Sequence, residues 1–251
     1  MSLKISIITV SYNAESSIED TIQSVLSQTY LNVEYIIIDG ESTDDTIDIC
    51  NKYKDKINTI VTEPDKGLYD AMNKGIAIAT GDVIGVLNAD DFYAHADVLS
   101  RVASKFESDN IDGLYADLVY VDAVDTSKIT RTWVSGIYRD NSFLKGWMPP
   151  HPTFFVKNEC YQKFGNYSLK LKSAADYELM LRMIHKHKIQ LGYLPEVTVR
   201  MRVGGVSNSS FKNRLNANKE DRRAWEMNDL KPNALTFIRK PLSKIWQFFK
   251  K

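Results

Sequence analysis

The sequence has little cysteine, no excess of charge and no long apolar run. Cys50 and Cys160 lie far apart and match neither a metal-binding nor a redox spacing, so we interpret both as buried free thiols of a reducing compartment. Lys+Arg and Asp+Glu each total 32, which gives no positive excess to attract nucleic acid. No run is long enough to span a bilayer, and the N-terminal segment lacks a cleavable signal. These absences predict a soluble, cytoplasmic protein that does not bind nucleic acid.

Strand and helix patterns alternate through the first hundred residues. The apolar, β-branched segments 3–10 and 33–38 and the run that starts at Val83 predict buried strands, with helical spacing between them. This βαβα alternation indicates a mainly parallel, Rossmann-like sheet with helices on both faces. Later segments, including 114–122, alternate in a way more typical of antiparallel strands. We therefore predict an α/β fold with a mixed, mainly parallel sheet and a helical C-terminal tail.

Polar side chains follow three of the predicted strands, at the point where each strand ends. They are Ser11, Tyr12 and Asn13 after the first strand, Asp39 after the second, and Asn88, Ala89, Asp90 and Asp91 after the fourth. Ligands of open α/β sheets bind at these carboxyl ends. Hydroxyl and amide groups suit a base or ribose, and adjacent carboxylates suit a divalent ion that carries phosphate oxygens. The alternative for the last group is a solvated Asp-Asp turn that caps a helix beginning near Ala96.

Two common phosphate-binding signatures are missing. Neither a GxGxxG fingerprint nor a GxxxxGK[ST] loop occurs in the chain. A nucleotide bound at these strand ends would therefore have its phosphates held in another way, and a carboxylate-bound metal ion is the means that the acidic group offers.

Four segments, in this order, resemble family 2 glycosyltransferases of the GT-A fold. They are SIITVSYNAESSIEDTIQSVLSQTY, IIIDGESTDDT, EPDKGLYDAMNKGIAIATGDVIGVLNADD and SAADYELMLR. More narrowly, the chain resembles bacterial enzymes that assemble capsule, exopolysaccharide or O-antigen repeats. The resemblance implies transfer of a hexosyl unit from a UDP- or GDP-sugar to an acceptor hydroxyl, with inversion at the anomeric carbon and with Mn²⁺ or Mg²⁺ as cofactor.

The resemblance also implies a division of the chain. Residues 1–210 would form the GT-A domain, with a nucleotide-sugar-binding half over 1–91 and an acceptor-binding half over 92–210. Residues 211–251 would form the helical C-terminal tail.

The family pattern assigns roles to individual residues. The nucleotide-sugar site would comprise Val10, Ser11, Tyr12, Asn13, Asp39, Asp65, Lys74, Asn88, Ala89 and Asp90. The DXD metal motif falls on the last three, so Asp90 is the implied metal ligand and Asn88 replaces the first acid. The ED motif falls on Ala175-Asp176, which implies that Asp176 is the catalytic base. The alternatives are that Asp176 is a plain helix N-cap and that Asp39 is a turn residue.

Acceptor binding is predicted for three residues. Trp147 and His151 lie in a loop rich in proline and aromatic residues, KGWMPPHPTFFVK, where an indole suits stacking on a sugar ring. Asp91 is the third, beside the metal motif. A packed structural histidine is the alternative for His151.

The tail segment 237–251, FIRKPLSKIWQFFKK, combines basic and aromatic residues. One interpretation is peripheral binding at the anionic inner face of the cell membrane, which would bring the enzyme to a polyprenyl-diphosphate-linked saccharide acceptor. The other is a helix packed onto the domain or used to form a homodimer.

Two other functions remain open. A nucleotidyltransferase acting on a sugar phosphate would use the same donor site, but the Gly/Arg-rich triphosphate loop is missing after the first strand. A non-catalytic nucleotide-sugar-binding module would leave Asn88 as the mark of a decayed metal site.

Overall fold

The computed structural model describes residues 2–204, 211–233 and 236–237. The strands are β1 (Ile5–Ser11), β2 (Val33–Asp39), β3 (Thr59–Thr62), β4 (Val83–Asn88), β5 (Asp91–Tyr93), β6 (Gly113–Val121), β7 (Ile129–Trp133), β8 (Phe155–Lys157) and β9 (Leu191–Arg202). The helices are α1 (Ile18–Leu26), α2 (Thr46–Asn51), α3 (Leu68–Ile78), α4 (Val98–Ser108), α5 (Asn158–Phe164), α6 (Ala175–Met180) and α7 (Phe211–Met227). Helix α6 continues as a π-helix over Leu181–Lys186.

The described strands form one sheet in the order β3-β2-β1-β4-β8-β6-β9-β5, with β7 paired to β6. Strand β1 is parallel to β2 and β4, and β2 is parallel to β3. The predicted α/β fold with flanking helices is confirmed. The antiparallel character expected of β6 is right for its pairing with β7 and β8 but wrong for β9, to which β6 is parallel.

The core forms where the apolar faces of the strands and helices pack against each other. Strand β1 is buried along its whole length, as the continuous apolar run predicts for a strand covered on both faces. Helix α1 turns Ile18, Ile22 and Val25 inward at helical spacing, and all three are buried. Helix α1 therefore packs its apolar face into the same core as the central strands.

The chain after β4 differs from the expected turn and helix. Strand β4 ends at Asn88, and the short strand β5 begins at Asp91, which pairs with Met201 of β9. Helix α4 begins at Val98, with Asp97 at the N-cap position. The alternative of an Asp-Asp turn capping a helix near residue 96 is therefore wrong, because Asp91 belongs to the sheet.

The buried carboxylate of Glu34 joins three segments at the opposite end of the parallel strands, where those strands begin. Glu34 of β2 accepts hydrogen bonds from Ser6 Oγ at 2.5 Å and from Thr80 N at 2.7 Å. Lys4 Nζ adds a bond at 3.0 Å. Burial alone would raise the pKa of this carboxyl, but the hydrogen bonds from Ser6, Thr80 and Lys4 outweigh burial and lower the pKa to about 2.

Helix α7 confirms helical structure at the start of the predicted tail, and it packs on α6. The domain boundary at residue 210 stays a prediction. The basic and aromatic segment predicted to bind a membrane lies outside the described residues from 238 onward. In the part of the chain that the structure describes, no helix is both long enough and apolar enough to cross a membrane.

Candidate active site

The ends of β1, β2 and β4 meet at one edge of the sheet. Ser11 is opposite Asp39, and Val10 is opposite Asn88. Ala89 N donates to Val10 O at 3.3 Å, which continues the contact beyond the end of β4. The sheet therefore brings together the three polar groups that the sequence placed at strand ends.

Asp39 is fully buried and is held by hydroxyl groups. Ser11 Oγ donates to Asp39 Oδ1 at 2.9 Å, and Ser42 donates through Oγ at 2.6 Å and through its backbone N at 2.8 Å. These bonds fix the first two βα loops relative to each other. The alternative of a plain turn residue accounts for the bonds from Ser42 but not for the bond from β1.

Tyr12 and Asn13 lie on the first loop above Asp39. Tyr12 is 65% exposed, and Asn13 takes a left-handed backbone conformation with φ 49°. Asn13 N donates to Ser42 Oγ at 2.8 Å, and Asn13 Oδ1 accepts from Thr43 N at 2.9 Å. The loop is thus held rigid by its asparagine, while the tyrosine ring remains free to contact a ligand.

Gly40 marks where the third loop meets the first two. A Cβ at Gly40 would lie 2.3 Å from Asp65 Oδ2 and 3.5 Å from the ring of Tyr12. Asp65 Oδ1 in turn accepts a hydrogen bond from Gly67 N at 2.6 Å. Tyr12 and Asp65 therefore lie close to Gly40, where a side chain would not fit unless Asp65 moved.

Lys74 supports this loop from helix α3. Its Nζ donates to Pro64 O at 2.6 Å and forms an ion pair with Glu63 Oε1 at 2.9 Å. The ammonium group therefore holds the segment that carries Asp65. A direct contact between Lys74 and a diphosphate stays a prediction.

In the acidic pair after β4, Asp90 is half-buried and Asp91 is fully buried. Burial raises the pKa of Asp90, although the positive charge of Arg202 opposes the rise. Asp91 has no exposed surface, and burial together with the negative charge of Asp90 raises its pKa well above the usual range. Contact between Asp91 and an acceptor would require the turn to open, and that role stays a prediction.

Two oxygen atoms in this turn are buried without a hydrogen-bond partner among the described residues, Asn88 Oδ1 and Asp91 Oδ1. The amide Nδ2 of Asn88 points at Asp91 Oδ2, 3.4 Å away. Buried acceptors without donors are costly, and oxygens of this kind are ligands that Mg²⁺ and Mn²⁺ prefer. The donor set therefore fits a divalent cation.

The same region does not enclose an ion by protein side chains alone. Within the described ranges, no group of three or more His, Cys, Asp or Glu side chains is placed to hold a metal ion. Mg²⁺ commonly takes one or two carboxylates and completes its shell with water and substrate phosphates. A site of this kind would need water and the phosphates of a bound substrate to complete it.

Arg202, at the end of β9, is a site residue that the sequence reasoning missed. It is 8% exposed, donates from Nη1 to Asp90 O at 2.9 Å and forms an ion pair with Asp20 of α1. Its guanidinium lies over the ring of Phe92, 4.9 Å from the centroid. The pairing of β5 with β9 creates these contacts, and no local pattern in the sequence reveals that pairing.

Asp176 lies in the first turn of α6, and Ala174 occupies the N-cap position. The alternative that Asp176 is a plain N-cap is therefore wrong. Tyr69 donates from its hydroxyl to Asp176 Oδ1 at 3.1 Å. Burial and the negative charge of Asp176 raise the pKa of Tyr69 well above the usual range, so this hydroxyl keeps its proton. The Tyr69 hydroxyl therefore has a proton to donate to the Asp176 carboxylate throughout the neutral pH range.

His151 belongs to the same cluster as Asp176. His151 Nε2 and the Tyr167 hydroxyl are 2.6 Å apart, and the rings of Tyr167 and Tyr69 stack with centroids 5.6 Å apart. Burial lowers the pKa of His151, although the negative charge of Asp176 opposes this. The lowered pKa favours the neutral imidazole. The structure thus places His151 near the predicted base, and contact with an acceptor stays a prediction.

Trp147 is packed among other rings. Its centroid lies 5.4 Å from that of Tyr115, 5.1 Å from Tyr138 and 5.5 Å from Phe143, and its Nε1 donates to Ser135 O at 2.7 Å. These contacts explain its position by packing. Stacking of Trp147 on a sugar stays a prediction.

One short segment joins the two groups of predicted site residues. Asp65 lies beside Gly40 among the strand-end loops, and Tyr69, four positions later, reaches Asp176. Gly67 between them takes φ 110°, a conformation that glycine adopts without strain. The segment 65–69 therefore connects the strand-end loops to the turn that carries Asp176.

Sequence comparison finds relatives over most of the chain. Residues 6–169, more than half of the chain, match the family described as Glycosyl transferase family 2. A "PGL/p-HBAD biosynthesis glycosyltransferase" of Mycobacterium bovis is 31% identical over 208 residues, which cover 81% of this chain and 79% of that protein. The Escherichia coli "UDP-Glc:alpha-D-GlcNAc-diphosphoundecaprenol beta-1,3-glucosyltransferase WfaP" is 42% identical over 99 residues, 39% of each chain.

Solved structures show the same fold. S. aureus TarS 1-349 in complex with UDP-GlcNAc superposes with a TM-score of 0.70 at 17% identity, over 90% of this chain and 65% of that one. The mannosyltransferase PcManGT from Pyrobaculum calidifontis, in complex with GDP-Man and Mn²⁺, has a TM-score of 0.68 at 16% identity, over 100% of this chain and 71% of that one. The fold is that of GT-A glycosyltransferases, and the sequence match shows that the chain belongs to glycosyltransferase family 2.

Proposed function

We propose that this chain is an inverting glycosyltransferase that moves a sugar from a UDP- or GDP-sugar to an acceptor hydroxyl in the synthesis of a bacterial surface glycan. The observation that carries the proposal is the junction at Asp65–Tyr69, which joins the strand-end loops to Asp176. Family membership supports glycosyl transfer over the nucleotidyltransferase and the non-catalytic binding module.

The donor site would lie over the ends of β1, β2 and β4. Asp39 and Tyr12 would face the nucleoside, and Asp65 would border the same space. The named complexes of the structural neighbours contain UDP-GlcNAc and GDP-Man, which supports a nucleoside-diphosphate sugar without choosing the base or the sugar.

Asp90 would hold a divalent cation, with the unpartnered oxygens of Asn88 and Asp91 beside it. Mn²⁺ or Mg²⁺ bound there would offset the negative charge that develops on the departing diphosphate. Burial raises the pKa of Asp90 and Asp91, and a cation bound there would favour their ionised forms. Arg202 would keep the turn in place through the Asp90 carbonyl.

Asp176 would act as the general base. A sugar hydroxyl is a weak acid, so its proton must leave as the new glycosidic bond forms. The Asp176 carboxylate would take that proton while the hydroxyl oxygen attacks the anomeric carbon opposite the leaving diphosphate, which inverts the configuration. Tyr69 keeps its own proton and orients one carboxylate oxygen, which leaves the other oxygen for the acceptor.

The acceptor would be a saccharide, and we propose that it is linked to polyprenyl diphosphate. The name of the E. coli relative WfaP includes an acceptor of this class. The basic and aromatic tail would hold the enzyme at the inner face of the membrane, where such an acceptor is found. Trp147 and His151 would contact the acceptor.

The test is release of UDP or GDP from a panel of nucleotide sugars, with Mn²⁺ or with EDTA. We expect metal-dependent turnover of one donor by the wild type, and its loss in Asp90→Ala and Asp176→Asn. Asp48→Asn, an exposed acid of α2, is the matched control and should keep wild-type activity. Full activity of Asp176→Asn would refute the base, and full activity in EDTA would refute the metal. Release of pyrophosphate from a nucleoside triphosphate and a sugar phosphate, in a parallel assay, would instead support the nucleotidyltransferase.

A further inference from the structure

Helix α6 begins without a capping side chain of its own. Ala174 is at the N-cap position and has no side-chain oxygen, and no side-chain hydrogen bond caps the helix from within. The first backbone N–H groups of a helix need an acceptor, and Ser, Thr, Asp or Asn at the N-cap usually supplies it. The backbone N–H groups of Ala175 and Asp176 face the Tyr69 hydroxyl, whereas those of residues 172–174, ahead of the helix, need a separate acceptor.

Glu220 of α7 supplies that acceptor from a distant part of the chain. Glu220 Oε1 accepts from Lys172 N at 3.0 Å, and Glu220 Oε2 accepts from Ser173 N at 2.7 Å and Ser173 Oγ at 2.8 Å. The backbone N–H of Ala174 also faces this carboxylate and favours its ionised form. Burial raises the pKa of Glu220, but these bonds outweigh burial and lower it, so the carboxylate is ionised at neutral pH.

Two more hydrogen bonds reach α6, one from α7 and one from Asn228, the residue that follows α7. Trp225 Nε1 donates to the Tyr177 hydroxyl at 2.9 Å, and Asn228 Nδ2 donates to Glu178 Oε1 at 2.9 Å. Trp225 and Asn228 are 0% and 2% exposed. Helix α7 therefore holds α6 at the residues on both sides of Asp176 in sequence.

We propose that Glu220 is a positioning residue for Asp176, holding segment 172–174 so that the carboxylate faces the acceptor. The proposal rests on the proposed role of Asp176 as the base. It makes α7, which lies beyond the residues matched by the family, part of the catalytic unit. Glu220 acts through the backbone ahead of α6 and touches no substrate.

The kinetic test compares Glu220→Ala and Glu220→Gln with Glu226→Gln, an exposed glutamate on the same helix. Small displacements of a catalytic group cost up to about 100-fold in rate, so we expect kcat to fall about 10- to 100-fold in Glu220→Ala, with donor KM unchanged. Glu220→Gln keeps one acceptor oxygen and should lose less. In the Asp176→Asn background, Glu220→Ala should add little further loss, because there is no base left to position.

Hydrogen exchange tests the contact between Glu220 and segment 172–174 without any substrate. Glu220→Ala should speed exchange of the amides of 172–174, while peptides from β1 and β2 keep wild-type rates and Glu226→Gln changes neither. Unchanged exchange at 172–174 would overturn the proposal, as would faster exchange with wild-type kcat. Activity retained by Asp176→Asn would instead mean that the base is wrongly assigned. If Asp176→Asn is inactive and Glu220→Ala is fully active, the positioning role of Glu220 is refuted and the role of Asp176 as base stands.

Discussion

Replacing Glu34 by glutamine should destabilise the fold in a way that depends on pH. The carboxylate is buried, with a side chain 11% exposed, and its hydrogen bonds lower its pKa from 4.5 to about 2. A group whose pKa is lower in the folded state stabilises the fold above the unfolded pKa. That stabilisation is lost as the pH falls from about 4.5 towards 2. Glutamine has no charge to lose and presents an NH₂ group to donors that need an acceptor.

The magnitude follows from the pKa difference. A shift of about 2.5 units corresponds to roughly 3 kcal/mol of unfolding free energy at pH 7. The same linkage leaves about 1.5 kcal/mol at pH 3. Subtracting the Glu34→Gln value from the wild-type value at each pH removes the contributions of the other carboxylates, which both proteins share.

Urea unfolding followed by circular dichroism at pH 7, 5, 4 and 3 measures this difference. Glu159→Gln is the matched control, since its side chain is 72% exposed, and it should match the wild type at every pH within about 0.5 kcal/mol. A Glu34→Gln difference that stays constant from pH 7 to pH 3 would refute the linkage argument. A difference below about 0.5 kcal/mol at pH 7 would show that the buried hydrogen bonds contribute no net stability.

Three further predictions concern the site. Tyr69→Phe removes a hydrogen bond to a charged carboxylate, so kcat should fall about tenfold or more, with donor KM unchanged, in steady-state transfer assays. Gly40→Ala brings a Cβ to 2.3 Å from Asp65 Oδ2, so donor KM should rise about tenfold, or ~1.4 kcal/mol. Arg202→Lys keeps the charge but loses the planar fork, so Mn²⁺ affinity measured by calorimetry with UDP or GDP should fall about 10-fold.

Matched variants separate these effects from general damage. Tyr53→Phe removes a hydroxyl that donates to Glu19 at 2.7 Å, away from the site, and should keep wild-type kcat. Arg101→Lys alters an arginine that is 52% exposed and should keep wild-type Mn²⁺ affinity. Wild-type kcat in Tyr69→Phe, or wild-type KM in Gly40→Ala, would contradict the contacts from which each loss is argued.

The central strands and their polar ends could be predicted from the sequence because their signals are local. The apolar run before Asn88 reads as a buried strand, and the carboxyl ends of parallel strands meet by geometry, so Ser11 and Asp39 could be placed together in advance. Asp176 could be placed at a helix start from its neighbours in the chain.

Other parts of the site depend on contacts that local patterns do not reveal. Strand β5 is three residues long and exists because β9 pairs with it, and that pairing brings Arg202 to Asp90. Glu220 is similar, since its partners at 172–174 are almost fifty positions earlier. A bond between distant residues leaves no period in the sequence, and only the folded chain reveals it.

The segment from Asp65 to Tyr69 has a consequence for the order of events in a catalytic cycle. Asp65, its first residue, lies against Gly40 near Tyr12, and Tyr69, its last residue, donates to the carboxylate of Asp176. Under the proposed roles of these residues, a donor that shifted Asp65 would also shift Tyr69. Donor occupancy and the reactivity of the base would then be coupled, which would favour an ordered sequence in which the nucleotide sugar binds before the acceptor.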